Sequence, residues 1–275
     1  MALLPPPQLR NMLRLLTEAL RPAPGRARIA LAAGIGALCH GLFALAAASM
    51  IGGMATGMSH ALGAVPEPWR WPVNLALIAQ FPLLHSLLLG RRGSRWLVRL
   101  LPGWYGETLS STSYVIIASL QLLALFLLWT PSGVIWWQAE GALRWAVLAV
   151  YAGTWLLLLK ATVDAGIEVQ SGALGWLSLL RGARPRYPGM PVHGLFRRVR
   201  HPIYAAFILT LWTVPLWTPD QLILALSLTA YCLLAPRLKE QRYLQRYGDE
   251  FRDYRRCVPY LLPAPRRHSH HVPLD

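Results

Sequence analysis

The chain has 275 residues, 55% of them hydrophobic and 14% charged, with a formal net charge of +15. An average soluble domain carries roughly 25% charged residues, so the composition excludes an ordinary water-soluble globule, and its apolar content excludes a disordered chain. Three scattered cysteines, Cys39, Cys232 and Cys257, exclude a disulfide scaffold and form no metal knuckle, which leaves an all-α, polytopic helical membrane protein as the predicted fold class.

In chain order, residues 1–28 place Leu9, Met12, Leu13, Leu16 and Leu20 at helical spacing with Arg10, Arg14 and Arg21 between them, the pattern of an amphipathic helix lying in a membrane surface. No small-residue cleavage site follows a short apolar core, so no signal peptide is expected. A bilayer core of about 30 Å needs about 20 helical residues. Runs of that kind predict about six transmembrane helices, near 29–54, 71–90, 112–131, 142–163, 203–218 and 221–237. Pro215 and Pro219 mark the last two as a tight hairpin with some kinking. A polar helix follows after 237. The predicted domain organisation is an amphipathic segment (1–28), spans and loops (29–180), a core containing the hairpin (181–263), and a tail (264–275).

The basic residues alternate between the connections. Arg10, Arg14, Arg21, Arg26 and Arg28 precede the first span, and only Arg70 lies in the first loop. Arg91, Arg92, Arg95 and Arg99 fill the second loop, and none lies in the third before Arg144. Six arginines run from Arg181 to Arg200, none lies between the last two spans, and nine basic residues follow from Arg237. Because Lys and Arg are retained on the cytoplasmic side, both termini and the carboxy-terminal helix are expected in the cytoplasm. Arginines at helix ends anchor a protein to anionic membrane lipid, which accounts for the charge without nucleic acid.

Polar chemistry concentrates in two stretches that flank the hairpin. One runs from Gly194 through Phe196, Arg200, His201 and Pro202 to Tyr204. The other holds Lys239, Glu240, Tyr247, Gly248, Phe251, Tyr254, Val258, Pro259 and Tyr260. A tight hairpin brings such stretches together, so one pocket is expected to offer Arg200 and His201 as donors, Glu240 as acceptor, and Tyr204, Phe251 and Tyr254 as ring faces. That set suits a zwitterionic ligand bearing a base and a sulfonium. His201 before Pro202 also reads as the cap of the fifth span, Glu240 as a solvated charge, and Phe251 and Tyr254 as packing residues.

These residues resemble the integral-membrane methyltransferases typified by isoprenylcysteine carboxyl methyltransferase and phospholipid methyltransferase. Their G-x-[YF]-R-x-[VL]-R-H-P-x-Y motif matches Gly194, Phe196, Arg197, Val199, Arg200, His201, Pro202 and Tyr204. Their Glu-containing helix and G-x-x-[FY]-x-x-Y ending near V-P match Glu240, Gly248, Phe251, Tyr254, Val258 and Pro259. The resemblance covers about 70 carboxy-terminal residues. It implies that Gly194, Phe196, Arg200, His201, Pro202, Tyr204, Glu240, Phe251 and Tyr254 bind S-adenosyl-L-methionine. Ala206 and Lys239 depart from the glycine and glutamate that many members carry. The amino-terminal half resembles one branch, the methanethiol S-methyltransferases, at Phe81-Pro82-Leu83-Leu84-His85-Ser86, Ser110 to Trp129, and Leu180-Arg181-Gly182.

The resemblance implies methyl transfer from S-adenosyl-L-methionine to a small thiol such as methanethiol, with His85 or Arg200 as the catalytic group. The alternatives are a prenylcysteine-like carboxylate or a lipid amine as acceptor, or a non-catalytic assembly or transport protein. His85, embedded among apolar residues, reads as a proton acceptor or as a satisfied buried imidazole, and His40 as the latter. Asp164 and Glu168, four apart, share a helix face if the fourth span continues, either solvated or turned to a ligand. His268, His270 and His271 lack a carboxylate or cysteine partner, so no functional metal is expected.

Overall fold

The computed structural model describes residues 7–263; the histidine-rich tail lies outside the described residues. Among the described residues the regular structure is helical apart from one pair of two-residue strands. Among the described residues five helices are long and apolar enough to cross a membrane: α2 (Arg26–Ala55), α3 (Arg70–Leu89), α5 (Gly103–Leu127), α6 (Gly141–Asp164) and α10 (Pro219–Tyr247). Around them lie α1 (Pro7–Ala19), α4 (Arg91–Arg99), α7 (Ile167–Gln170), α8 (Ala173–Arg181), α9 (Pro202–Trp212) and α11 (Asp249–Cys257). The chain is thus an all-α polytopic membrane protein.

Small residues let these helices approach closely, as lipid-embedded helices require in place of a hydrophobic driving force. Gly36 of α2 sits against the Trp176 indole, and Gly175 of α8 against Thr112 of α5, each with no room for a Cβ. Polar side chains bond between helices. Gln80 of α3 donates to the Gln121 carbonyl of α5 at 2.9 Å, and Gln121 returns a bond to the Gln80 carbonyl at 2.8 Å. Met54, Ile78, Leu125, Phe126, Trp129, Leu211, Leu224 and Leu228 form the main core, while Leu38, Leu45, Leu83 and Leu156 face outward, as lipid contact demands.

The fifth predicted span is corrected in form. Helix α9 has 11 residues, which rise about 16 Å and reach only halfway across a bilayer core. Pro215 lacks an N–H and disfavours helical backbone before it, so the helix stops and an extended link follows. Strand β2 (Leu216–Trp217) of that link pairs antiparallel with β1 (Trp137–Gln138). The link still carries the chain to the far end of the bundle, where Thr218 Oγ1 donates to the Gly57 carbonyl at 2.6 Å and Trp129 Nε1 donates to Asp220 at 3.0 Å. Non-helical backbone at this depth is tolerated only when protein satisfies it. Here Ala139 N–H bonds the Pro215 carbonyl and Trp136 N–H bonds the Trp217 carbonyl.

Two further boundaries move. The third span begins at Gly103, nine residues before the expected start, because its polar positions Thr108 and Thr112 are buried against α8 and do not end the helix. The last span and the polar helix are one helix, 29 residues and about 43 Å long, running through Pro236. Helix α1 docks on α7 and α8: Leu15 is buried there, Asn11 Nδ2 donates to Glu168 Oε1 at 2.5 Å, and Glu18 pairs with Arg181.

Candidate active site

The two motif stretches meet at one end of the bundle. The backbone begins the contact: Arg200 N–H donates to the Pro259 carbonyl at 2.8 Å and His201 N–H to the Tyr260 carbonyl at 3.2 Å. Side chains complete it. Glu240 Oε1 lies 2.8 Å from Arg200 Nε and 2.9 Å from His201 Nε2. Arg200 Nη1 donates to the carbonyls of Val258 at 2.6 Å and Arg255 at 3.0 Å, and its guanidinium stacks 5.5 Å over the Tyr260 ring. Arg200 is therefore a clamp joining the α9 entry, α10 and the chain after α11.

His201 is buried, and its ring stands edge-on to Tyr260 at 4.9 Å and Tyr204 at 6.0 Å. Burial pushes its pKa down to about 4, with the Lys239 and Arg200 charges in the same direction and the hydrogen bond to Glu240 opposing. The imidazole is neutral at pH 7. An ionised carboxylate only accepts, so Nε2 carries the proton given to Glu240 and Nδ1 is an acceptor. Nδ1 is buried with no partner among the described residues, an acceptor left for a ligand donor.

A stability test follows. Between pH 6.5 and 4 the unfolded chain protonates this imidazole and the folded chain does not, so the neutral-imidazole contribution is full above pH 6.5 and lost as pH falls through that window. The wild type should lose about 3 kcal/mol more than His201→Gln between pH 7 and pH 4. Melting of both proteins in detergent across that range measures the difference; parallel curves refute it.

The other predicted residues serve the same end of the fold. Gly194 opens a 3₁₀ turn with φ of +61°, seated on the Asp164 carboxylate, and Leu195 N–H donates to Asp164 Oδ2 at 2.8 Å. Phe196 is buried, and its carbonyl accepts the Tyr254 hydroxyl at 2.7 Å. Phe251 and Tyr254 pack in a cluster with Val258, Tyr243 and Tyr247. Pro202 occupies the first turn of α9, where its missing N–H costs nothing, and Ala206 is buried in the same helix.

Asp164 and Glu168 are corrected: Gly166, at φ of +92°, breaks the helix between them, and both are buried against protein groups, not solvated. His85 lies apart from Arg200, in α3. The Tyr114 hydroxyl of α5 sits 2.7 Å from His85 Nε2, with the rings of Phe81 and of Tyr231 from α10 around it. Tyr231 and Tyr260 took no assigned role in sequence; a lone tyrosine inside an apolar run was the available signal. His40 accepts the Trp176 indole N–H at 3.0 Å and is satisfied.

No family model and no solved structure matches the chain. Among curated relatives, methanethiol S-methyltransferase of Mycobacterium tuberculosis is 34% identical over 217 residues, covering 77% of this chain and 85% of the relative. The Pseudomonas deceptionensis protein of that name is 31% identical over 202 residues, 72% and 76% of the two chains. Nurim of Xenopus laevis is 30% identical over 191 residues, 62% and 61%. At this identity, and over more than two thirds of both chains in the first two cases, the protein belongs to the methanethiol S-methyltransferase family of membrane methyltransferases.

Proposed function

We propose that the protein transfers a methyl group from S-adenosyl-L-methionine to a small thiol, methanethiol, giving a thioether. The observation that carries this reading is the meeting of Arg200, His201 and Glu240 in a chain of this family. When bound, S-adenosyl-L-methionine supplies a methyl group on a positively charged sulfur. The residues present fit it: Glu240 and the unpartnered Nδ1 of His201 accept hydrogen bonds, and the Tyr204 and Tyr260 rings favour a cation. Gly194, Phe196, Pro202, Phe251 and Tyr254 shape that wall from behind, and Arg200 holds it closed. Residues 181–263 form the donor-binding core on the cytoplasmic side of a bacterial inner membrane, with both termini on that side.

Catalysis rests on position, since the donor carries the reactive group. His85 would take the thiol proton as the new carbon–sulfur bond forms, the methyl–sulfonium bond being the one broken and S-adenosyl-L-homocysteine the product that leaves. The Tyr114 hydroxyl fixes its ring at membrane depth, where an apolar acceptor enters from lipid. Purified protein in nanodiscs, with labelled S-adenosyl-L-methionine, is offered methanethiol, longer thiols, prenylcysteine and phosphatidylethanolamine. Methanethiol should be labelled, and His85→Ala should lower kcat about 100-fold at unchanged donor affinity. Labelling of the lipid amine alone overturns the thiol assignment, and no saturable donor binding overturns the enzyme reading.

A further inference from the structure

Lys239 and Arg242 are three residues apart on α10 and so lie on one side of it, one turn from each other. Both are half-buried. Among the described residues no carboxylate comes within 4 Å of either, although the far more exposed Arg252 and Arg256 pair with Asp249 and Asp253. The carboxylate between them in sequence is taken, because Glu240 Oε1 serves Arg200 and His201. Lys239 Nζ instead stands 5.6 Å from the centre of the Phe196 ring and 5.3 Å from that of Tyr243. The Arg242 guanidinium is close enough to Tyr204, Tyr231, Tyr114 and His85 for its charge to act on all four.

Two like charges one helical turn apart repel, and a cation withdrawn from water without a counter-ion is costly. Ring faces compensate only part of that cost. A fold that keeps both cations beside its candidate site without an internal partner is suited to an anion that arrives with a ligand.

We propose that Lys239 and Arg242 form the subsite for the carboxylate of the methyl donor, an inference that rests on the donor being S-adenosyl-L-methionine. The guanidinium fork matches a planar carboxylate, which a compact methanethiolate is not. Lys239 also packs on Phe196, in the segment that carries His201, which sets its charge at the donor end, while Arg242 reaches from the same side of α10 toward His85. The donor's cationic groups then fall to Glu240 and the rings, and its one anionic group to these two side chains.

Decarboxylated S-adenosyl-L-methionine, which lacks only that group, gives a test on the unaltered protein. Binding of both compounds is measured by calorimetry on the full chain in nanodiscs. The wild type should prefer the carboxylated donor by about 150-fold, the worth of two charge-assisted hydrogen bonds at the low end of their range. In the Lys239→Gln, Arg242→Gln double variant the preference should fall below about 3-fold. Affinity for the decarboxylated compound should stay near the wild-type value, which also reports an intact fold. Equal binding of the two compounds by the wild type overturns the subsite while leaving the methyl-transfer reading standing. So does a preference that survives both substitutions, or a change confined to the KM of the thiol. Binding of neither compound by the wild type brings down the donor assignment itself.

Discussion

Arg200→Ala is expected to destabilise the protein by about 3–5 kcal/mol and to loosen α11 before anything else. The guanidinium is 12% exposed and makes three bonds in three directions, to the Glu240 carboxylate and to the carbonyls of Val258 and Arg255. Truncation leaves the half-buried Glu240 carboxylate with His201 alone and the Val258 and Arg255 carbonyls without this donor, and of these the stranded charge, removed from water, costs the most. Arg200→Lys should recover little, since a single ammonium cannot reproduce the fork that reaches both α10 and the segment after α11. Melting in detergent gives the stability, and hydrogen exchange of residues 249–260 shows where it is lost. A variant with native melting and native exchange, but no donor binding, would assign Arg200 to the ligand and not to the clamp.

The meeting of Arg200, His201 and Glu240 was legible because two separated patterns flank a hairpin, and connectivity alone brings its ends together. The long apolar runs were legible for the simpler reason that lipid demands them. What sequence hid was pairing. Asp164 and Glu168 look like solvated charges at the end of a span. Asp164 has one local partner, Lys160 one turn earlier, but what buries the two carboxylates is the Leu195 N–H and the Asn11 amide, 31 and 157 residues away, and no local pattern announces those. The end of α9 was legible only in part: Pro215 marked a kink, but an apolar run does not tell a continuing helix from an extended link whose backbone is satisfied by Trp136 and Ala139. Lys239 showed in sequence only as a departure from the glutamate of many members, and Arg242 as one more basic residue on a polar helix, until the absence of a carboxylate within 4 Å among the described residues set them apart from Arg252 and Arg256.

Gly194→Ala is expected to cost about 3 kcal/mol for a reason that lies beneath the motif, not in a ligand. At φ of +61° an L side chain is strained by roughly 1–2 kcal/mol. The added Cβ would also fall 2.2 Å from Asp164 Oδ2, on the carboxylate that holds the Leu195 N–H and pairs with Lys160. The carboxylate must move, and the 3₁₀ turn leading to Arg200 and His201 moves with it. The two contributions separate in a double-mutant cycle. Asp164→Ala alone removes the bond to Leu195, and in that background the crowding is gone while the backbone strain remains. The pair should therefore cost about 1–2 kcal/mol less than the sum of the single variants. Strict additivity in melting experiments, together with lost donor binding in Gly194→Ala alone, would mean that this glycine is kept small for a bound molecule and not for the carboxylate on which it sits.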